Sequence, residues 1–406
     1  MEMRLRIHRT CGDELPTGNL ESTHLDAMIS LTQLPFALPE DKVPTQQIAK
    51  DIIATFLTKE WPKQDSESIT VTYSTSFTNP SCVVERPVPD DDGPPAEPLK
   101  LFIKFHRTTG SDFEAFRHLV PTKQEEALLT YEYGRSGLGA RVYGMFETQD
   151  GTRGRLDEFL DARHLEPEDV EDEALRADVA RGLATFHTIR AALPKKPVAS
   201  YYTSIGKGLR AYHGLEKLKM LGREGGVPID DLIDYDIAGR CTVIVAALQS
   251  MSAKTGWCIH DIQSMNILVK NNPTPDESRI TLIDFEFVFE NYRAFDIGGH
   301  FMQKLFKWFD TESKIAHCRP YSEAEERHFC DVYAAQWNAR TGEADSGAQV
   351  HREAQLGYML ATAFDIHNML CWMEQEGDKD PLNLAGLNKL FAEFKGRYEK
   401  LGLEVA

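Results

Sequence analysis

One stretch limits what this chain can fold into more than any other. From Trp257 to Phe301 it reads WCIHDIQSMNILVK, a polar turn, then ITLIDFEFVFENYRAFDIGGHF. Asn266-Ile-Leu-Val269 and Arg279-Ile-Thr-Leu-Ile283 are rich in β-branched residues, and the turn formers Asn271 to Ser278 lie between them, so the pattern predicts a β-hairpin. Pairing sets the start of the first strand beside the end of the second, which brings Asn266 and Asp284 to one end of the ribbon. Glu286, two residues along the same segment, then falls on the same face as Asp284.

Asn266, Asp284 and Glu286 carry the oxygen ligands that a hard cation prefers, and a Mg²⁺ needs only one or two protein oxygens when substrate phosphates complete its octahedron. Asp261, five residues before Asn266, lies on the loop that enters the hairpin and can reach a substrate hydroxyl. Phosphoryl transfer divides labour in this way: one carboxylate orients or deprotonates the nucleophile, and others neutralise charge through the metal. An isolated Asp-x4-Asn arises often by chance. Joined to Ile-Asp-Phe-Glu at this distance, it is a specific signal.

A nucleotide site also needs a covering loop and a cation for the phosphates. From Ile69 the period of the pattern is two, with strands at 69–73 and 81–85 around the small-residue turn Ser74 to Asn79, whose backbone N–H groups can approach phosphates. Leu99 to His106 is a short apolar strand carrying Lys104, and Thr122 to Tyr133 is a good helix former offering Glu125 and Glu126 as its carboxylate partner. Thr45 to Trp61 has apolar residues at helical spacing and predicts a packing helix. Met1 to about Leu38 has no clear period, and an extension or an early helix packed on the body is expected there. Helical patterns recur at 173–189, 237–253, 322–339, 353–374 and 384–401, while 194–236 reads as long and irregular.

The central stretch resembles the choline and ethanolamine kinases, which share a protein-kinase-like fold with aminoglycoside phosphotransferases. The segment from Leu-Ile-Asp-Phe-Glu-Phe through Asn291-Tyr-Arg-Ala-Phe-Asp-Ile-Gly298 and His300-Phe301 is the most distinctive match. Gly137-Leu-Gly-Ala-Arg-Val-Tyr-Gly144 and Gly154 to Leu165 add to it. The resemblance implies an α+β, bilobal fold with a small antiparallel-sheet lobe (residues 1–150, including the N-terminal extension) and a larger helix-rich lobe (151–406). It implies ATP and Mg²⁺ as cofactors and transfer of the γ-phosphoryl group to the hydroxyl of a small alcohol or amino alcohol. Site residues follow by position: Asp261 as base; Asn266, Asp284 and Glu286 on the metal; Ser74, Thr75, Ser76, Thr78, Asn79, Lys104 and Glu126 on the nucleotide, with Glu126 preferred to Glu125 by its offset from Gly144. Gln263, Gln303, Trp308 and Trp372 are assigned to the substrate pocket, with Phe364 and Asp365 as further walls. Asp296 braces the catalytic loop, and His187 is read as a packed core histidine.

The chain departs from this family in four places. Thr75 and Ser76 replace a glycine pair in the phosphate loop. Ile259 stands where a loop-anchoring histidine is usual, which implies a loop anchored by packing. Gly299 replaces an Asn, and Gln303-Lys304 replaces a Glu-aromatic pair, so the family's carboxylate is lost and Lys304 is expected to disfavour a cationic acceptor. A catalytically weak pseudokinase is the rival reading, and a kinase for a different, non-choline small alcohol is another.

The formal net charge of −18 over 406 residues argues against binding to a phosphate backbone. Seven cysteines without CxxC spacing fit a reducing compartment. No apolar run has spanning length, so a cytoplasmic location is expected. A homodimer is compatible with the resemblance and is not specified by the residues.

Overall fold

The computed structural model describes residues 30–40, 43–74, 80–88, 95–106, 119–275 and 277–403. In the first lobe, β1 (Leu31–Gln33), β2 (Thr70–Ser74), β3 (Ser81–Glu85), β4 (Lys100–His106), β5 (Val142–Glu147) and β6 (Arg153–Glu158) form one sheet in the order β1-β5-β6-β4-β3-β2. All its pairings are antiparallel except β1 on β5, where Leu31 faces Met145. Part of the N-terminal region read as an extension or a helix is therefore an edge strand. The expected hairpin around the phosphate loop is present in its strands, with Val71 opposite Val84 and Ser74 opposite Ser81. Its tip, with Thr75, Ser76, Thr78 and Asn79, lies outside the described residues.

The lobe division drawn at residue 150 falls in the β5–β6 turn, where Thr148 N–H donates to Thr152 O at 2.9 Å. β6 is an inner strand of the sheet, so the sheet continues to Glu158. Helix α1 (Gln46–Phe56) is started by the Thr45 hydroxyl, which accepts from Ile48 N. Its Ile52 and Ile53 are fully buried against Val84, Leu101, Ile103 and Leu156, and each such burial contributes about 1.5–3 kcal/mol. Helix α2 (Lys123–Arg135) begins with a capping box between Thr122 and Glu125.

The second lobe holds α3 (Glu173–His187), α4 (Val198–Tyr212), α5 (Glu216–Glu224), α6 (Asp230–Ile233), α7 (Ile237–Ser250), α8 (Ala294–Gln303), α9 (Glu323–Thr341), α10 (Gly347–Glu376) and α11 (Pro381–Leu401). The segment read as irregular contains α4, α5 and α6. Glycines inside or just after these helices (Gly206, Gly208, Gly214, Gly225, Gly226) interrupt the pattern along the sequence, and packing restores the helices. Two small sheets carry the central stretch: β7 (Ala162–His164), β9 (Ile267–Lys270) and β10 (Ile280–Leu282) in the order β10-β9-β7, and β8 (Thr255–Cys258) paired with β11 (Phe289–Tyr292). The hairpin is as expected, with Leu282 opposite Ile267 and Ile283 N–H donating to Asn266 O at 3.0 Å.

Helices α8 and α10 cross with their backbones touching. A Cβ on Gly298 would lie 2.0 Å from Tyr358 N, and one on Gly357 would lie 1.7 Å from Ala294 O. Only glycine allows this approach, and it fixes where side chains further along both helices stand. No helix among the described residues is long and apolar enough to cross a membrane.

Candidate active site

Asp261 follows β8 on a loop whose shape is held from beneath. The Asp296 carboxylate accepts from Ile259 N at 2.6 Å, His260 N at 3.0 Å and His187 Nε2 at 3.0 Å, and the Tyr333 hydroxyl lies 2.7 Å from His187 Nδ1. Although burial opposes ionisation, these donors and the nearby imidazoles hold the Asp296 carboxyl below its usual range. His260 sits in the left-handed region at φ 65°, which costs free energy for a residue with a side chain. Its ring pays that back by bonding Cys258 O and the Asn291 amide, both at 2.9 Å, and by stacking on Phe289 at 3.6 Å.

The loop is thus anchored by hydrogen bonds, with His260 and Asn291 supplying what Ile259 cannot, and the expectation of anchoring by packing is corrected. Burial keeps the His260 imidazole neutral, its pKa lowered to about 4. His187, Cys258 and Asp296 also bring three ligand-type atoms within 4.8 Å of one another. Each is already committed: Cys258 Sγ lies 3.4 Å from Tyr292 O, and the other two bond each other. The cluster is a buried hydrogen-bond knot.

Above this base, Asn266 Nδ2 donates to both Asp261 O and Asp261 Oδ2 at 2.9 Å, and Gln263 Nε2 donates to Oδ2 at 3.1 Å. Burial, and next the charge of Asp284, push the Asp261 carboxyl up to about 6 against the pull of those two amides. Asn266 closes a 3₁₀ turn, and β9 starts at the next residue. Asp284 and Glu286 do not alternate along a strand as expected, because β10 ends at Leu282 and the chain turns. Asp284 itself is left-handed, at φ 62°. That kink aims its carboxylate across the cleft, where Lys104 Nζ meets Oδ1 at 2.9 Å.

Lys104 is part of a ladder of alternating charge. Its Nζ also meets Glu126 Oε1 at 3.2 Å, Lys123 Nζ meets Glu126 Oε2 at 2.9 Å, and Lys123 lies 3.6 Å from Glu286. Arg155 is 3.7 Å from Glu126 and is forked on Asp157 at 2.9 Å. Glu126, not Glu125, reaches Lys104, because Glu125 is engaged by the cap of α2. Burial opposes ionisation at Lys104, but Glu126 and Asp284 outweigh it and keep the amine charged. The three cations likewise hold Glu126 well below the carboxylate range. Lys123 and Arg155 had no signal in the sequence beyond their sign.

The Asp284 and Glu286 carboxyls crowd each other, and burial together with Asp284 raises Glu286 to about 7. Asp284, Glu286 and the Asn266 side-chain carbonyl offer oxygen donors of the hard type that a divalent cation prefers.

The remaining substrate residues divide. Gln303 is 6% exposed and donates from Nε2 to Asp365 Oδ2 at 2.7 Å, while Trp308 Nε1 donates to Gln303 Oε1 at 3.0 Å. Trp372 is 46% exposed, two helical turns along α10 from Asp365, and among the described residues no hydrogen bond or ring contact ties it to this group. Lys304 turns away, pairing with Glu171 at 3.0 Å and lying over the Tyr321 ring. The charge attributed to Lys304 is therefore spent on Glu171, and the carboxyl beside Gln303 is that of Asp365, pushed well above its usual range by burial and next by the charge of Asp261. Gly299 has a local reason too: a Cβ there would press on Ala361 and Ile262 at 3.1 and 3.2 Å.

The sequence pattern of the choline/ethanolamine kinase family matches residues 95–373, well over half of the chain. A human choline/ethanolamine kinase is 28% identical over 209 residues, covering 51% of this chain and 49% of that protein, so the match spans about half of the relative's length. A choline kinase of Cryptosporidium parvum superposes with a TM-score of 0.63 at 16% identity, covering 87% of this chain and 96% of that one. An ethanolamine kinase of Plasmodium vivax gives 0.61 at 17% identity, covering 95% and 98%. These two share the α+β fold of a sheet lobe against a helical lobe. By the family match, the chain belongs to the choline/ethanolamine kinase family.

Proposed function

We propose that this chain is an ATP-dependent kinase that transfers the γ-phosphoryl group to the hydroxyl of a small alcohol or amino alcohol of the choline/ethanolamine type. The observation that carries this reading is the junction of the lobes. Asp261, fixed by Asn266 and Gln263, faces Asp284, and Asp284 is tied across the cleft to the Lys104–Glu126 pair.

Asp261 orients the acceptor hydroxyl and takes its proton as the oxygen attacks phosphorus; a carboxyl poised near neutrality suits that exchange. Lys104, held by Glu126, meets the α- and β-phosphates once nucleotide replaces Asp284 as its partner. Asn266, Asp284 and Glu286 would hold Mg²⁺, which supplies charge neutralisation on the transferring phosphate. Asp296 acts through the loop by fixing where Asp261 points. Members of the family described above are named for choline and ethanolamine, and that supports the acceptor class. The rival reading of a weak, non-catalytic nucleotide binder drew partly on Ile259, and the His260–Asn291 anchor removes that ground.

Magnesium-dependent ATP consumption measured across choline, ethanolamine and neutral small alcohols tests the reading. We expect acceptor-dependent turnover that chelation abolishes. Nucleotide binding without turnover on any acceptor would sink it and leave the pseudokinase.

A further inference from the structure

The relay Trp308–Gln303–Asp365 is not explained by phosphoryl transfer. The indole N–H of Trp308 can only donate, so it fixes the Gln303 amide with its oxygen toward the indole and its NH₂ toward Asp365. Gln303 lies five residues beyond Gly298 on α8, and Asp365 eight residues beyond Gly357 on α10. The glycine-to-glycine crossing therefore sets their meeting point, and a tightly packed pair of helices holds it. Such a fixed arrangement around one recessed carboxyl serves to aim it.

The stretch of α10 that carries Asp365 packs on the catalytic loop, since the ring of Phe364, the residue before it, lies 6.2 Å from that of His260, the residue before Asp261; burial, and next the Asp261 charge, push the Asp365 carboxyl well above its usual range. Among the described residues no lysine or arginine pairs with Asp365, and Lys304, next to Gln303 along the chain, is spent on Glu171. Each carboxyl is met by amides alone, one donor on Asp365 and two amide side chains on Asp261. A recessed carboxyl met by one amide and no cation is kept protonated by its surroundings, and a cation from outside the protein lets it ionise.

The chemistry of that cation can be narrowed. A carboxylate oxygen left for the ligand favours N–H donors, which a primary ammonium has and a quaternary ammonium lacks. A quaternary ammonium relies instead on aromatic faces closing around it. Here the Trp308 ring is stacked on Phe306 at 4.6 Å and nearly parallel, and Trp372 stands half exposed. We propose that Asp365, positioned by Gln303 and Trp308, is the specificity-determining residue of the acceptor site and receives the protonated primary amine of a compact amino alcohol whose hydroxyl faces Asp261. This rests on the kinase reading above and goes beyond it in naming the charge of the acceptor and the residue that selects it.

The test compares ethanolamine, choline and the neutral isostere ethylene glycol as acceptors with saturating MgATP, in the wild type and in Asp365→Asn. In the wild type, kcat/KM for ethanolamine should exceed that for either other acceptor by about 100-fold. The variant should lose most of that preference through a rise in KM for ethanolamine that brings kcat/KM for the amine toward that for the glycol, with KM for ATP unchanged. A merely structural role would lower turnover of amine and glycol alike and would move KM for ATP, which overturns the proposal. A wild type that prefers choline, or that ignores charge, overturns it as well. If no acceptor is phosphorylated the kinase reading falls, and calorimetric titration of ethanolamine into both proteins with a non-hydrolysable ATP analogue still decides. Binding that Asp365→Asn abolishes supports the site, and equal or absent binding refutes it.

Discussion

Replacing Asp296 by Asn probes the foundation of the candidate site without touching any group that would meet substrate. In the native loop one oxygen serves Ile259 N–H and His187 Nε2–H, and the other serves His260 N–H. An Asn keeps one acceptor oxygen. In its better orientation that oxygen retains the first two donors, and its NH₂ then confronts the His260 N–H. The two retained bonds fall from charge-assisted to neutral, about 1 kcal/mol each, and the orphaned buried N–H costs about 1–3 kcal/mol. Relief from burying a charge offsets part of this, although the lowered carboxyl at Asp296 shows that its donors outweigh burial.

The net expectation is a loss of about 3 kcal/mol in urea unfolding. His260, held at φ 65° partly by that bond, is then free to relax and carry Asp261 with it. Turnover should drop at least about 100-fold, the equivalent of about 2.7 kcal/mol, while ATP affinity stays within a few-fold because the Lys104–Glu126 pair lies elsewhere. Wild-type stability and turnover in Asp296→Asn would refute the reasoning, and so would a loss of ATP affinity matching the loss of turnover.

Other expectations follow from packing and from buried histidines. Gly357→Ala would place a methyl 1.7 Å from Ala294 O, so α8 and α10 must part. The cost is about 2–3 kcal/mol in denaturant titrations, and KM for the acceptor should rise more than KM for ATP because Gln303 and Asp365 ride on those helices. His300, buried against Phe329 and bonded to the Tyr321 hydroxyl at 2.9 Å, is kept neutral by burial and by Lys304, its pKa lowered to about 3. The unfolded chain binds this proton at about pH 6.5. The stability His300 contributes is therefore whole above that pH and is lost as the pH falls toward 3. Between pH 7 and pH 4.5 the wild type should lose about 2.7 kcal/mol more than His300→Gln, and equal acid sensitivity in urea titrations at the two pH values would contradict this.

What the sequence revealed was local. The hairpin at 267–270 and 280–282 was legible because β-branched runs flanked a dense turn, and the approach of Asn266 to the Asp284 end followed from pairing alone. Lys104 and its helix partner were legible because strand and helix patterns are distinct there. The loop anchor was not. His187 and Asp296 are 109 positions apart, and nothing along the chain shows that the residue after Ile259 turns its ring inward to meet Asn291. The direction of Lys304 was equally hidden, since whether a helical side chain faces the pocket or Glu171 depends on how α8 is rotated by its glycine contact with α10. The left-handed turn at Asp284 was missed because an Asp between apolar residues reads as strand until tertiary contacts fix its backbone. Helices α4 and α5 were lost to their glycines.

We expect Asp261, set beside the oxygens proposed to hold the metal, to activate an acceptor hydroxyl for attack on ATP. Phosphorus NMR of a reaction containing MgATP and ethanolamine follows that event directly. The account predicts a phosphomonoester signal growing in step with ADP in the wild type and none from Asp261→Asn, although that variant still binds MgATP. A phosphomonoester formed at the wild-type rate by Asp261→Asn would contradict it.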